Sequence, residues 1–188
     1  METKSCIRKR ILAVRNQLTE AERLEKSRQI RDKLYSMKEY READCILGFV
    51  GYGGEVETIP FLERAVFDGK KVYCPVSNED GMMEFYRFTS KADLITGYKN
   101  IPEPSSQAEK FEVKCERTEK VFMLMPGVAF DEKRHRVGYG KGFYDRFLAT
   151  YEPDYIVAVC FACQIVEEFS VEEHDFLPER VVTEIEDF

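Results

Sequence analysis

The chain has 188 residues, 44% of them hydrophobic and 34% charged, which is enough apolar material for one sizeable core and a single domain over residues 1–188. Its net charge of -7 argues against broad electrostatic binding to nucleic acid or to an anionic membrane, yet leaves room for one small basic pocket. No apolar run reaches the roughly 18 residues of a membrane span, and the start, METKSCIRKRILAVRNQL, lacks the apolar centre of a signal peptide, so a cytoplasmic location is expected.

Residues 4–18 carry Ile7, Ile11, Val14 and Leu18 at helical spacing, which predicts an amphipathic helix with Lys4, Arg8 and Arg15 as a basic stripe beside the apolar one. Thr19 and Glu22 have the spacing of a capping box and open a second helix, whose buried face takes in Leu24, Ile30, Leu34 and Met37. CILGFV (45–50) reads as a strand followed by the glycine-containing turn GYGGEVET, after which Thr58 or Pro60 opens a helix to Phe67. KVYCP (71–75) and MMEFYRF (82–88) read as strands, with a turn marked by Asp80 and Gly81 between them. A helical turn follows at 90–94, and 97–109, containing GYKNIPEPSS, reads as a loop. KVFMLMPG (120–127) is a buried strand. A turn-rich segment leads from it to a helix over 142–150, then to the buried strand YIVAVCF (155–161) and a last short strand at 181–183. Strands alternating with helices predict an α/β fold: a three-layer, Rossmann-like open sheet, mostly parallel, with helices on both faces.

The stretch PGVAFDEKRHRVGYGKGFYDRF (126–147) follows a buried strand and runs into a helix, the place where open α/β sheets bind ligands. Gly138, Gly140 and Gly142 alternate with Tyr139 and Lys141, so the backbone can approach a ligand and offer N–H groups to phosphate oxygens. Arg136 and Lys141 add positive charge, and the following helix would aim its N-terminus at the same place. The spacing is neither that of a Walker A loop nor that of a dinucleotide fingerprint, so a plain glycine-rich turn between strand and helix remains an alternative. The six cysteines are scattered and read as small buried hydrophobes, and Cys160 and Cys163 read as inert thiols rather than a redox pair or zinc site. Asp131 reads as a turn-holding residue, while His135 and His174 lie too far apart in sequence to mark a metal pair.

PGVAFD and RVGYGKGFYDR together resemble the signature of the 5-formyltetrahydrofolate cyclo-ligase family, P-G-x-A-F-D-x-x-G-x-R-L-G-x-G-x-G-Y-Y-D-R. Further features agree in order along nearly the whole chain: Lys4 and Arg8 on a basic N-terminal helix, GEVET at 54–58, the I-x-E-P segment at 101–104, Phe161 with Gln164, and HDFLPERVVTE at 174–184. The chain departs from the family at Arg134 (usually glycine), Val137, Phe143, Glu179 and Asn100, and the glycine replaced by Arg134 implies a backbone position with φ > 0. The resemblance implies an ATP- and Mg²⁺-dependent conversion of 5-formyltetrahydrofolate to 5,10-methenyltetrahydrofolate, with release of ADP and phosphate through a phosphorylated formyl intermediate. It implies ATP binding by Lys4, Arg8, Arg136, Gly138, Tyr139, Gly140, Lys141, Gly142, Phe143 and Tyr144, and folate binding by Val50, Glu55 and Tyr144. Lys141, Arg136 and Tyr144 would be catalytic, and Asp145 and Asp175 would hold Mg²⁺. The expected partners are small molecules, reduced folate and ATP, with no nucleic acid and no membrane, and a monomer is expected. Two other functions stay open: another phosphate-ligand enzyme on the same scaffold, and a non-catalytic folate- or nucleotide-binding module.

Overall fold

The computed structural model describes residues 2–78, 81–113, 118–170 and 176–188. Helix α1 (Lys4–Arg15) starts where the Thr3 side chain caps the Cys6 N–H. Its inner face is Ile7, Ile11 and Arg15, a strict four-residue step. Val14, expected inside, is 37% exposed, and Arg15 takes its place at 2%. Helix α2 (Glu20–Ser36) opens on the expected capping box of Thr19 and Glu22 and buries Ser27, Ile30 and Leu34. Leu24 lies off that stripe and is 45% exposed. A short α3 (Lys38–Glu42) leads into the sheet.

Six strands form that sheet in the order β10 (Arg180–Val182), β9 (Tyr155–Val159), β6 (Val121–Pro126), β1 (Cys45–Leu47), β2 (Lys71–Ser77) and β3 (Met83–Arg87). Every neighbouring pair is parallel except the β2–β3 hairpin. The central strands are apolar on both faces, as a covered parallel sheet requires. On one face Ile46, Val72, Phe122 and Val157 pack with Ile30, Leu34 and Tyr40 and with Phe61 and Leu62 of α4 (Ile59–Phe67). On the other, Leu47, Phe85, Met123 and Ala158 pack with Leu148 and Tyr151, at and beyond the end of the six-residue helix α5 (Phe143–Leu148). The expected three-layer α/β architecture is therefore present. Helix α1 stands apart from those layers: Ile7 and Ile11 pack on Val128, Ala129, Val137 and Phe169, around the small hairpin of β7 (Ala129–Phe130) and β8 (Arg136–Val137).

Residues 97–109 are not simply a loop. β4 (Leu94–Thr96) pairs antiparallel with β5 (Pro102–Pro104) around a turn in which Lys99 and Asn100 have φ of 57° and 61°. Two prolines in the three residues of β5 hide the strand from pattern reading. Arg134 has φ 71°, the left-handed conformation that the family's glycine implied; its guanidinium Nη1 donates to the Glu179 carbonyl at 2.7 Å. Of the cysteines, Cys45, Cys74 and Cys160 are buried free thiols, with Cys45 pushed up to about 12 by desolvation. Cys163 is half-buried, Cys6 is exposed on the outer side of α1 against expectation, and Cys115 lies outside the described residues. Among the described residues no helix is long and apolar enough to cross a membrane.

Gln164 ties the ends of β6 and β9 together. It is 1% exposed; its amide donates to the carbonyls of Gly127 (3.0 Å) and Val128 (2.9 Å) and accepts from the Phe161 N–H at 2.9 Å. Gln164→Leu strands three buried backbone groups and is expected to destabilise the fold by about 3 kcal/mol. Thermal unfolding should show Tm lowered by roughly 6–12 °C; a change of less than about 2 °C would mean that those groups find other partners.

Candidate active site

The chain runs from β1 to β2 and β3 in one direction along the sheet, and to β6, β9 and β10 in the other. The order reverses between β1 and β6, and the crevice beyond their C-terminal ends is where such sheets bind ligands. Two adjoining cavities lie there. One, of about 320 Å³, is lined by Lys4, Arg8, Pro126, Arg136, Asp145 and the whole run from Gly138 to Tyr144. The other, of about 440 Å³, is mostly apolar: Phe49, Val50, Pro75, Met83, Ile101 and Pro102 line it, with Glu55 and Glu103 among them. Pro126, Tyr139, Lys141, Phe143 and Tyr144 belong to both and form the wall between them.

The polar cavity assembles cations from two distant segments. Lys4 and Arg8 are one helical turn apart on α1, and the Arg8 Nε donates to the Gly138 carbonyl at 2.8 Å across 130 residues of chain. Gly140 has φ 85°, and a Cβ there would sit 3.3 Å from the Arg8 guanidinium, so glycine serves both the turn and the close approach. Gly142, at φ 63°, caps α5 in the left-handed region. Because α5 has only six residues, the attraction for an anion comes from Lys4, Arg8, Arg136 and Lys141 rather than from a helix terminus. Arg136 is largely buried, lies over the Tyr144 ring at 5.6 Å and pairs with the Asp145 carboxylate at 2.7 Å. Arg146, which ends the glycine-rich motif and was given no role from the sequence, donates to the carbonyls of Lys141 (2.8 Å) and Gly81 (2.6 Å), pinning the loop to the β2–β3 turn.

In the apolar cavity Glu55 is held by two donors. The Tyr52 N–H donates to Oε2 at 3.0 Å and the Tyr139 hydroxyl donates to Oε1. Desolvation is the largest influence on Glu55 and raises its pKa above the usual carboxylate value, while the Tyr139 and Tyr52 bonds and nearby Arg15 act in the opposite direction. Burial also pushes the phenols of Tyr139 and Tyr144 up, so both remain protonated donors at neutral pH. Val50 is 7% exposed; it belongs to the core and borders the cavity. Glu103, the acid of the I-x-E-P segment, is a buried carboxylate raised by desolvation and partly compensated by the N–H groups of Ser77 and Tyr98.

Every implied nucleotide residue therefore lines one cavity, and Val50, Glu55 and Tyr144 line the other. Of the two implied metal residues, Asp145 borders the polar cavity with one oxygen taken by Arg136, and Asp175 lies outside the described residues. Among the described residues no group of three or more acidic, histidine or cysteine side chains is placed to hold a metal ion. Asp131 holds a turn, as expected: its carboxylate accepts from the His135 backbone N–H at 2.9 Å and lies 2.8 Å from the His135 Nδ1.

Comparison with known proteins shows the family. The family model described as "5-formyltetrahydrofolate cyclo-ligase family" matches residues 1–184. The 5-formyltetrahydrofolate cyclo-ligase of Escherichia coli K12 is 31% identical over 173 residues, 90% of this chain and 93% of that protein. The mouse protein of the same name is 28% identical over 177 residues, 89% of this chain and 86% of its own. An NMR structure of 5,10-methenyltetrahydrofolate synthetase from Aquifex aeolicus superposes with a TM-score of 0.83 at 29% identity, over 98% of this chain and 91% of that one. With a family model spanning almost its whole length, the chain belongs to the 5-formyltetrahydrofolate cyclo-ligase family.

Proposed function

We propose that the protein converts 5-formyltetrahydrofolate and ATP into 5,10-methenyltetrahydrofolate, ADP and phosphate. The observation that carries this is the shared wall: a cation-lined cavity and an apolar cavity meet at Pro126, Tyr139, Lys141, Phe143 and Tyr144. Such a pair of cavities suits a triphosphate on one side and the flat rings of a reduced folate on the other, with the reacting groups at the junction. The formyl oxygen is a poor leaving group. It attacks the γ-phosphorus, the bond to the bridging oxygen breaks, and ADP departs. The nitrogen at position 10 then attacks the activated carbon and loses its proton, and the C–O bond breaks to release phosphate and leave the methenyl bridge.

Phosphoryl transfer asks a protein for positioning and charge neutralisation. Lys4 and Arg8 on α1 and Arg136 beneath the glycine-rich loop would hold phosphate oxygens, and Lys141 faces the junction. Tyr144, with its ring under Arg136, would pack against the folate near its formyl group, while Glu55 would accept hydrogen bonds from the pterin's N–H donors. Asp145 fits a Mg²⁺ site of the usual kind, one carboxylate oxygen beside phosphates and waters, since Arg136 occupies only its other oxygen. Bound there, with Asp175 as the second carboxylate the resemblance implies, Mg²⁺ would supply positive charge to the phosphate oxygens.

The test is to mix purified protein with 5-formyltetrahydrofolate, ATP and Mg²⁺ and follow the near-ultraviolet absorbance of the methenyl product, omitting ATP in the control. Product that depends on ATP is the expected outcome. Folded protein giving none, beside an active cyclo-ligase as positive control, would overturn the proposal.

A further inference from the structure

We propose that Arg15 is a positioning residue of this site, a buried clamp that fixes Tyr139 and, through it, the carboxylate of Glu55 for folate binding; this rests on the folate side of the function proposed above. Arg15 is 2% exposed. Its Nη1 donates to the Tyr139 hydroxyl at 3.0 Å and its Nη2 to the Gly53 carbonyl at 2.9 Å. One side chain from α1 thereby grips both the glycine-rich loop and the turn that carries Glu55.

The direction of the bonds is what gives Arg15 a role beyond packing. A guanidinium only donates, so the Tyr139 oxygen must accept from it. The phenol's single proton is then left for Glu55, whose Oε1 lies in hydrogen-bond contact with the Tyr139 hydroxyl. A chain of donors running Arg15 to Tyr139 to Glu55 holds the carboxylate in one rotamer as an acceptor-only group facing the cavity. Arg15 has no direct hydrogen bond to that carboxylate, and its Nε, buried near Gly54, has no partner. Burying a charge this way costs the fold stability. A residue kept only for packing would do better as leucine or methionine. Arg8, two turns earlier on the same helix, holds the Gly138 carbonyl, so α1 sets the geometry of both cavities.

A double-mutant cycle tests this, with wild type, Arg15→Met, Tyr139→Phe and the double variant. Each is read by KM and kcat and, independently of turnover, by calorimetric binding of 5-formyltetrahydrofolate without ATP. If Arg15 acts through the Tyr139 hydroxyl, each single change weakens folate binding about tenfold and the double variant is no worse than the poorer single one. Arg15→Lys, which keeps the charge but reaches one acceptor rather than two, should recover part of the loss and continue the cycle if Arg15→Met does not fold. A double variant weakened about a hundredfold, or a Tyr139→Phe protein that binds folate as wild type does, would overturn the clamp. Absent turnover with folate binding and the cycle intact would overturn the proposed reaction and leave the clamp standing.

Discussion

Replacing Lys141 with alanine is expected to lower kcat roughly 10²- to 10³-fold, the range seen when one preorganised charge-stabilising group is removed from a transition state. Lys141 is exposed, sits in the glycine-rich loop and borders both cavities, so in the proposed reaction its ammonium would lie beside the transferred γ-phosphoryl group. Its backbone contribution survives the substitution, because Arg146 holds the Lys141 carbonyl rather than its side chain. Tm should therefore stay within about 2 °C of wild type, and the KM for folate within about threefold, since in the proposed reaction the lost charge would serve phosphoryl transfer rather than pterin recognition. Lys141→Arg should retain more activity than Lys141→Ala, short of wild type, because a planar fork replaces a compact point charge. Steady-state kinetics with both substrates varied decides the matter: a kcat within about threefold of wild type in Lys141→Ala would remove this residue from the phosphoryl step.

The sequence makes the frame of this site legible and hides its bracing. The capping box of Thr19 and Glu22, the apolar runs of β1, β6 and β9 and the left-handed backbone at Arg134 all follow from neighbouring residues or from a family glycine, so they can be read locally. The glycine-rich loop is local too, and its cavity collects the residues of the motif together with Lys4 and Arg8. What stays hidden depends on partners far away in the chain. Arg15 bonds to Gly53 and Tyr139, 38 and 124 residues distant, and in the sequence it is one more cation on a helix. The apolar stripe also deceives there: spacing suggested Val14 inside, and the helix places Arg15 there instead. Glu103 escaped because its compensation comes from the N–H groups of Ser77 and Tyr98, on segments that only the β4–β5 hairpin brings near.

Glu55→Gln should separate function from stability, with opposite signs. Each carboxylate oxygen accepts one bond, Oε1 from Tyr139 and Oε2 from Tyr52, which leaves acceptor capacity for a pterin. Glutamine substitutes an NH₂ donor for one of those acceptors and sets donor against donor. Losing a charge-assisted bond of about 1.5–3 kcal/mol should raise the KM for 5-formyltetrahydrofolate roughly 10- to 150-fold, with little change in the KM for ATP. The wild-type enzyme should show the same dependence in pH: as pH falls through the raised pKa of Glu55, the acid protonates, one acceptor becomes a donor and folate binds less tightly. Stability runs the other way. A carboxyl raised by desolvation binds its proton more tightly folded than unfolded, where its value is near 4.5. Wild-type stability therefore falls as pH rises from that value through the folded one, and it stays lower above. Glutamine does not titrate and escapes that loss. At pH 8 the variant's Tm should exceed that of wild type, and the gap should close as pH approaches the unfolded value. Melting curves across that range, run beside folate kinetics, give the answer. A variant less stable than wild type at pH 8 would show that the bonds from Tyr139 and Tyr52 outweigh the desolvation of Glu55, so that this carboxylate braces the fold as well as the substrate.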